Sequence, residues 1–175
     1  MSDYYKFECG CSHEIDTAAL IRLNKTAEDY IKAGLHPPVK IDFSNLPDCR
    51  RVWNMLSKGL TKGVFQLETH LGKNWCQKLK PESIDHLAAL TSILRPGCLE
   101  SKDEKGVSMT QHYCLKKNGE EIAEPLHPIL EPLLQDTYQI MIFQEQLLKV
   151  AREVAGFTLD EADKLRKACI AENSL

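Results

Sequence analysis

The chain has 175 residues, room for one domain or for a domain with a small appendage around one modest core. Hydrophobic residues make up 43% and charged residues 27%, which excludes the low-hydropathy, high-charge signature of disorder. The net charge of −3 divides unevenly: residues 1–48 carry 5 Lys+Arg against 8 Asp+Glu and the remainder 17 against 17, so neither part is a basic clamp, and any nucleic-acid contact would rest on a few placed cations.

The first segment, YYKFECGCSHEID, alternates large apolar and polar residues around Gly10 and predicts a small hairpin with Phe7 and Ile15 on one face. Thr17 to Ala33 carries Leu20, Ile21, Leu23, Tyr30 and Ile31 and reads as one helix, stopped by Gly34 and the Pro37-Pro38 pair. Leu35 to Lys40 is then a linker, which divides the chain into an appendage over residues 1–40 and a main domain over 41–175. Ile41-Asp42-Phe43 reads as an extended lead-in to a short helix opened by Pro47, with Val52, Met55 and Leu56 as its apolar stripe and Gly59 at its end. Within residues 63–79, Leu67, Leu71, Trp75 and Leu79 recur every fourth residue, the spacing of one buried helix face. Pro81 begins a further helix with Ile84, Leu87, Leu90, Thr91 and Leu94 inward, ended by Pro96-Gly97. Residues 98–126 lack a sustained helical period and read as a loop with a hairpin around Lys117-Asn118-Gly119. A helix from about Phe143 to Val154, with Leu147, Val150, Ala151 and Val154 inward, is closed by Gly156. The last helix starts at Thr158, which forms a capping box with Glu161. The expected fold class is mainly α with a small β-hairpin.

Seven cysteines (Cys9, Cys11, Cys49, Cys76, Cys98, Cys114 and Cys169) are scattered, odd in number and without a secretory leader, the pattern of reduced thiols in a cytoplasm. No apolar run approaches the roughly 20 residues of a membrane span, so no membrane association is expected. Cys9, Cys11 and His13 offer three zinc ligands, but as C-x-C-x-H rather than the usual C-x-x-C knuckle, with His36 and Cys49 distant in sequence. A hairpin with free thiols is the default there, and zinc the alternative.

The sharpest signal is Thr137-Tyr138-Gln139-Ile140-Met141-Ile142-Phe143-Gln144-Glu145-Gln146, where a Gln-Glu-Gln triplet follows an apolar run without a packing reason of its own. This run resembles the TYG-IMVYQEQ segment of C-family replicative DNA polymerases, the bacterial polymerase III alpha type. The continuation AGFTLDEADKLRKA is similar to their AGFSLGEADLLRRAMGKK segment. Upstream, Gly63-Val64-Phe65-Gln66-Leu67-Glu68 resembles GVFQLES, Leu79-Lys80-Pro81 their L-K-P, and Leu94-Arg95-Pro96-Gly97 their YRPGP. The motifs keep the family's order over residues 41–169, about three quarters of the chain.

The resemblance implies a helical fingers domain of a DNA-directed DNA polymerase, which closes over the incoming deoxynucleoside triphosphate. It places Arg166 and Lys167 on the family's paired arginines, Lys167 replacing a two-pronged guanidinium with a point charge. By position alone these two are a solvated last-turn pair complementing the helix dipole. Arg95 joins them as a loop cation facing primer, template or nucleotide, or caps the helix before it, and Gln66, Gln144, Glu145 and Gln146 act as positioning groups, or satisfy buried backbone. The family's two-metal carboxylates lie on a palm upstream of the matched region. The resemblance therefore implies Mg2+ held by another chain and a protein inactive alone, with primer-template DNA, a palm-bearing polymerase chain and other replisome proteins as partners, as in a split or phage-encoded enzyme. A non-catalytic interaction module is the rival. The last residues, from Cys169 to Leu175, depart from the family pattern and either form a random tail or resemble the opening of an intein, with Cys169 the splice-junction nucleophile attacking the Ala168 carbonyl, which would make the chain an N-extein fragment.

Overall fold

A computed structural model describes residues 4–42 and 49–172 and forms two compact units, Met1–Val52 and Trp53–Leu175. In the first, β1 (Tyr4–Lys6) pairs antiparallel with β2 (Ser12–Glu14), Tyr5 opposite His13. The turn between them is closed by Gly10, at φ +92°, whose N–H donates to the Phe7 carbonyl at 2.9 Å, and by the Phe7 N–H donating to the Cys11 carbonyl at 2.9 Å. Phe7 and Ile15 are both half-buried, as the alternation predicts.

The expected single helix over 17–33 is two short ones, α1 (Thr17–Arg22) and α2 (Ala27–Lys32). Asn24 takes a left-handed φ of +50°, and Thr26 with Asp29 forms a capping box that starts α2 afresh. Asp16 caps α1 by accepting from the Ala19 N–H at 3.0 Å. Of the apolar residues in this stretch Leu20 is buried, whereas Ile21 is 79% and Ile31 53% exposed. Leu35 to Lys40 is no linker, because Val39 bridges to Ile15, the Lys40 N–H donates to the Glu14 carbonyl at 2.8 Å, and the Asp16 N–H donates to the Pro38 carbonyl at 3.0 Å.

Helix α3 (Arg50–Ser57) is entered from residues that include Pro47 and Phe43, which lie outside the described residues. Of its expected stripe only Leu56 is buried, Val52 and Met55 being exposed, and Trp53 packs beside Leu56 on the core of the second unit. Helix α4 (His70–Leu79) begins seven residues later than the fourfold spacing suggested, because Thr69 caps it through the Gly72 N–H at 3.0 Å. Leu67 is buried from the preceding loop rather than from the helix, and Leu71 is exposed. Gly72 makes this arrangement feasible, since a Cβ there would stand 2.6 Å from the Gln66 carbonyl oxygen and 2.7 Å from the Leu67 Cα.

Helix α5 (Ile84–Ile93) is capped by Ser83 and buries Leu90 and Ile93 completely, each contributing about 1.5–3 kcal/mol of transfer free energy. Ile84, expected inward, is exposed. Pro96 does not only end α5; it occupies the first turn of a short helix, α6 (Pro96–Glu100). The stretch read as a loop contains α7 (Met109–Lys117), capped by Ser108 and burying Tyr113 and Cys114. Asn118 and Gly119, at φ +73°, end that helix instead of turning a hairpin. After α8 (Glu131–Leu134), Tyr138 and Gln139 both take left-handed conformations, φ +54° and +63°, and lead into α9 (Gln144–Ala155). Gly156 at φ +69° closes α9. Thr158 and Glu161 then form the expected reciprocal cap of α10 (Leu159–Glu172), which packs on α9.

Candidate functional site

The Gln-Glu-Gln triplet opens α9, and its three side chains have different surroundings. Gln146 is buried: its Oε1 accepts from the Ile142 and Phe143 N–H groups at 2.9 and 3.0 Å, and its Nε2 donates to Thr137 Oγ1 at 2.7 Å. It thereby satisfies backbone donors just before the helix, a need that every helix start creates. Gln144 is exposed, and its Oε1 accepts from Arg166 Nη1 at 3.1 Å, joining the triplet to α10. Glu145 borders, with Asp85, His86, Asp136 and Lys149, a cleft of about 600 Å³ on the second unit.

Arg166 is held at three points. Its Nε and Nη2 donate to Asp163 Oδ1 at 2.9 and 2.7 Å, and Nη1 reaches Gln144. Lys167 Nζ lies 2.8 Å from Asp163 Oδ2. Lys167 first, then Arg166, draws the Asp163 carboxyl below the usual carboxylate range. One carboxylate thus faces two cations one helical turn on, a spacing legible in the sequence as Asp163 with Arg166 and Lys167 but not singled out there. Lys167 is well exposed and Arg166 partly buried. Neither borders the cleft.

Arg95 is exposed at the N-cap of α6, where its carbonyl accepts from the Cys98 and Leu99 N–H groups at 3.1 Å. Gln66 is exposed with φ +62°, its carbonyl accepting from Thr69 Oγ1 at 3.3 Å. Cys169 is partly buried in α10; Asn173 to Leu175 lie outside the described residues.

In the first unit, Cys9 and Cys11 flank Gly10 in the hairpin turn, and Cys49 joins them at the start of α3: the three sulfurs lie within 4.8 Å of one another. Cys49 was distant only in sequence, and no spacing rule connects it to the hairpin. His13 is not a member of this group; its ring stands edge-on to Phe7, centroids 5.5 Å apart. Hydrogen bonding with Cys9 and then Cys49 pushes the Cys11 thiol up to about 12, whereas the Val52 backbone N–H lowers that of Cys49. Among the described residues this is the one group of three or more His, Cys, Asp or Glu ligand atoms placed to share an ion. No helix among them is long and apolar enough to cross a membrane.

A family model, bacterial DNA polymerase III alpha subunit finger domain, matches residues 20–174. The chain is 42% identical over 131 residues to DNA polymerase III subunit alpha of Aquifex aeolicus, a match covering 74% of this chain and 11% of that protein. The protein of the same name from Staphylococcus aureus is 34% identical over 161 residues, 91% of this chain and 14% of the relative. That from Staphylococcus epidermidis is 38% identical over 136 residues, 77% and 12%. The matched region is thus a small part of the length of each of these relatives.

Proposed function

Since the chain belongs to the finger-domain family of the bacterial DNA polymerase III alpha subunit, we propose that it binds the incoming deoxynucleoside triphosphate and part of the template for a DNA-directed DNA polymerase, beside a palm that holds the Mg2+. The observation that supports this most is the contact between Gln144 and Arg166, at 3.1 Å, which joins two of the motifs of the family resemblance across α9 and α10. In this reading Asp163 and Gln144 keep the Arg166 fork extended until phosphate oxygens take the place of the Asp163 carboxylate. Lys167, exposed and on the same carboxylate, adds a mobile second charge, and Arg95 a third from its rigid proline-flanked turn. Gln66 and Glu145 serve as positioning groups on exposed surface.

The test is nucleotide incorporation by this chain assembled with a palm-bearing polymerase chain and primer-template. Arg166→Ala should raise KM for the nucleotide at least tenfold, about 1.4 kcal/mol, with Arg166→Lys recovering part of the loss. Phe65 at 82% and Leu126 at 97% exposure favour a second reading, a non-catalytic module that docks other replication proteins. An unchanged KM in an assembly that depends on this chain supports that module and refutes the nucleotide role.

A further inference from the structure

The first unit has almost no apolar core of its own. Within Met1–Val52 the one buried apolar side chain among the described residues that belongs to a helix is Leu20, while Ile21, Leu23, Ile31, Leu35 and Ile41 are all more than half exposed. A unit of this size buries too little surface to order itself, and small units of this kind are usually held by a disulfide or a metal. The polar links that remain, such as Lys40 with Glu14 and Arg51 with Glu8, are exposed ion pairs worth little.

Against that deficit stands the convergence of Cys9, Cys11 and Cys49, all within 4.8 Å of one another, from two stretches widely separated in sequence. Three thiolates on a tetrahedral zinc, with Zn–S bonds of about 2.3 Å, stand about 3.8 Å apart. The observed cluster reaches that geometry with shifts of about 1 Å. A disulfide would use two of the three sulfurs and leave the third against it; one soft cation uses all three.

We propose that Cys9, Cys11 and Cys49 form a zinc site that ties the hairpin turn to the start of α3 and supplies the order this unit lacks. Binding releases the thiol protons and leaves three Zn–S bonds, with no change of oxidation state. No fourth His, Cys, Asp or Glu ligand atom shares the cluster among the described residues. The site is independent of the nucleotide reading: it lies in the first unit and requires no polymerase partner.

The experiment uses the whole chain, purified under reducing conditions, supplied with zinc and freed of excess by gel filtration. Zinc should remain at about one per chain, and Co2+ in its place should give the near-ultraviolet charge-transfer absorption of bound thiolates. Cys49→Ser, and separately Cys9→Ser with Cys11→Ser, should lose stoichiometric metal, while Cys98→Ala, in the second unit, should keep it. Because a variant could fail through misfolding, the unaltered chain carries the decision. The absence of retained zinc, a cobalt spectrum without thiolate absorption, or a mass two hydrogens lower with a disulfide between two of these cysteines would each overturn the proposal.

Discussion

Replacing Gln146 by methionine, of similar volume, isolates the polar part of its role. The buried side chain makes three hydrogen bonds, accepting from the Ile142 and Phe143 N–H groups and donating to Thr137 Oγ1. Removing them leaves two backbone donors and one hydroxyl oxygen short of a partner, each at about 1–3 kcal/mol when fully buried. Ile142 and Phe143 are only half-buried, so water recovers part of their loss. Thr137 Oγ1 keeps its bond to the Leu134 carbonyl, so the sum is about 3 kcal/mol, near the low end for three such losses. Gln146→Glu keeps an acceptor for both N–H groups at a helix N-terminus, where negative charge is favoured, and should cost about half as much. Urea unfolding followed by circular dichroism and tryptophan fluorescence measures both. A methionine variant within about 0.5 kcal/mol of the parent, or one more stable than the glutamate variant, would refute the reasoning that Gln146 is there for its hydrogen bonds.

Two further outcomes follow from the same neighbourhood. Gln139 stands where the polymerase pattern has glycine, at φ +63°, with its buried Oε1 lacking a partner. Gln139→Gly relieves a left-handed strain of about 1–2 kcal/mol against roughly 0.4–1 kcal/mol of added chain entropy and the lost bond to the Glu131 carbonyl, so a small rise in melting temperature is expected. A fall equivalent to more than about 1 kcal/mol would contradict it. His86 Nδ1 accepts from the Glu82 N–H at 3.2 Å, which leaves Nε2 to donate to Tyr138 Oη at 2.9 Å, and burial first, then Lys117, lowers its pKa below 6.5. The unfolded chain therefore takes up the proton first: the contribution is complete above about pH 6.5 and is lost as pH falls through the lower folded value. The urea midpoint should drop on acidification through this window, and His86→Gln should flatten that slope.

Local chemistry was read well wherever one short stretch decides the outcome. Thr158 with Glu161, Gly156 and the Gly10 turn are such cases, because cap and turn preferences act within three or four residues. Sequence and structure part where one signal serves two structures. Asn118-Gly119 suits a hairpin turn and a helix end equally, and only Tyr113 and Cys114, buried against the core, decide for the helix. The fourfold spacing of Leu67, Leu71, Trp75 and Leu79 suggested a helix from residue 63, yet Thr69 starts it later and Leu67 reaches the core from a loop. Spacing cannot distinguish a buried loop residue from a buried helical one.

The site divides in the same way. Gln144, Glu145 and Gln146 form one motif in sequence, but an α-helix turns each successive side chain by about 100°. Gln144 reaches α10, Glu145 faces the cleft, and Gln146, which also lines the cleft, folds back on its own helix start. A role assigned to the triplet as a unit must therefore separate: Gln146 acts on stability, whereas the proposed nucleotide role falls to Gln144, through Arg166, with Glu145 as a positioning group. A Gln144→Ala variant that lowers stability as much as Gln146→Met does would place both residues in the scaffold and leave the nucleotide reading resting on the cations alone.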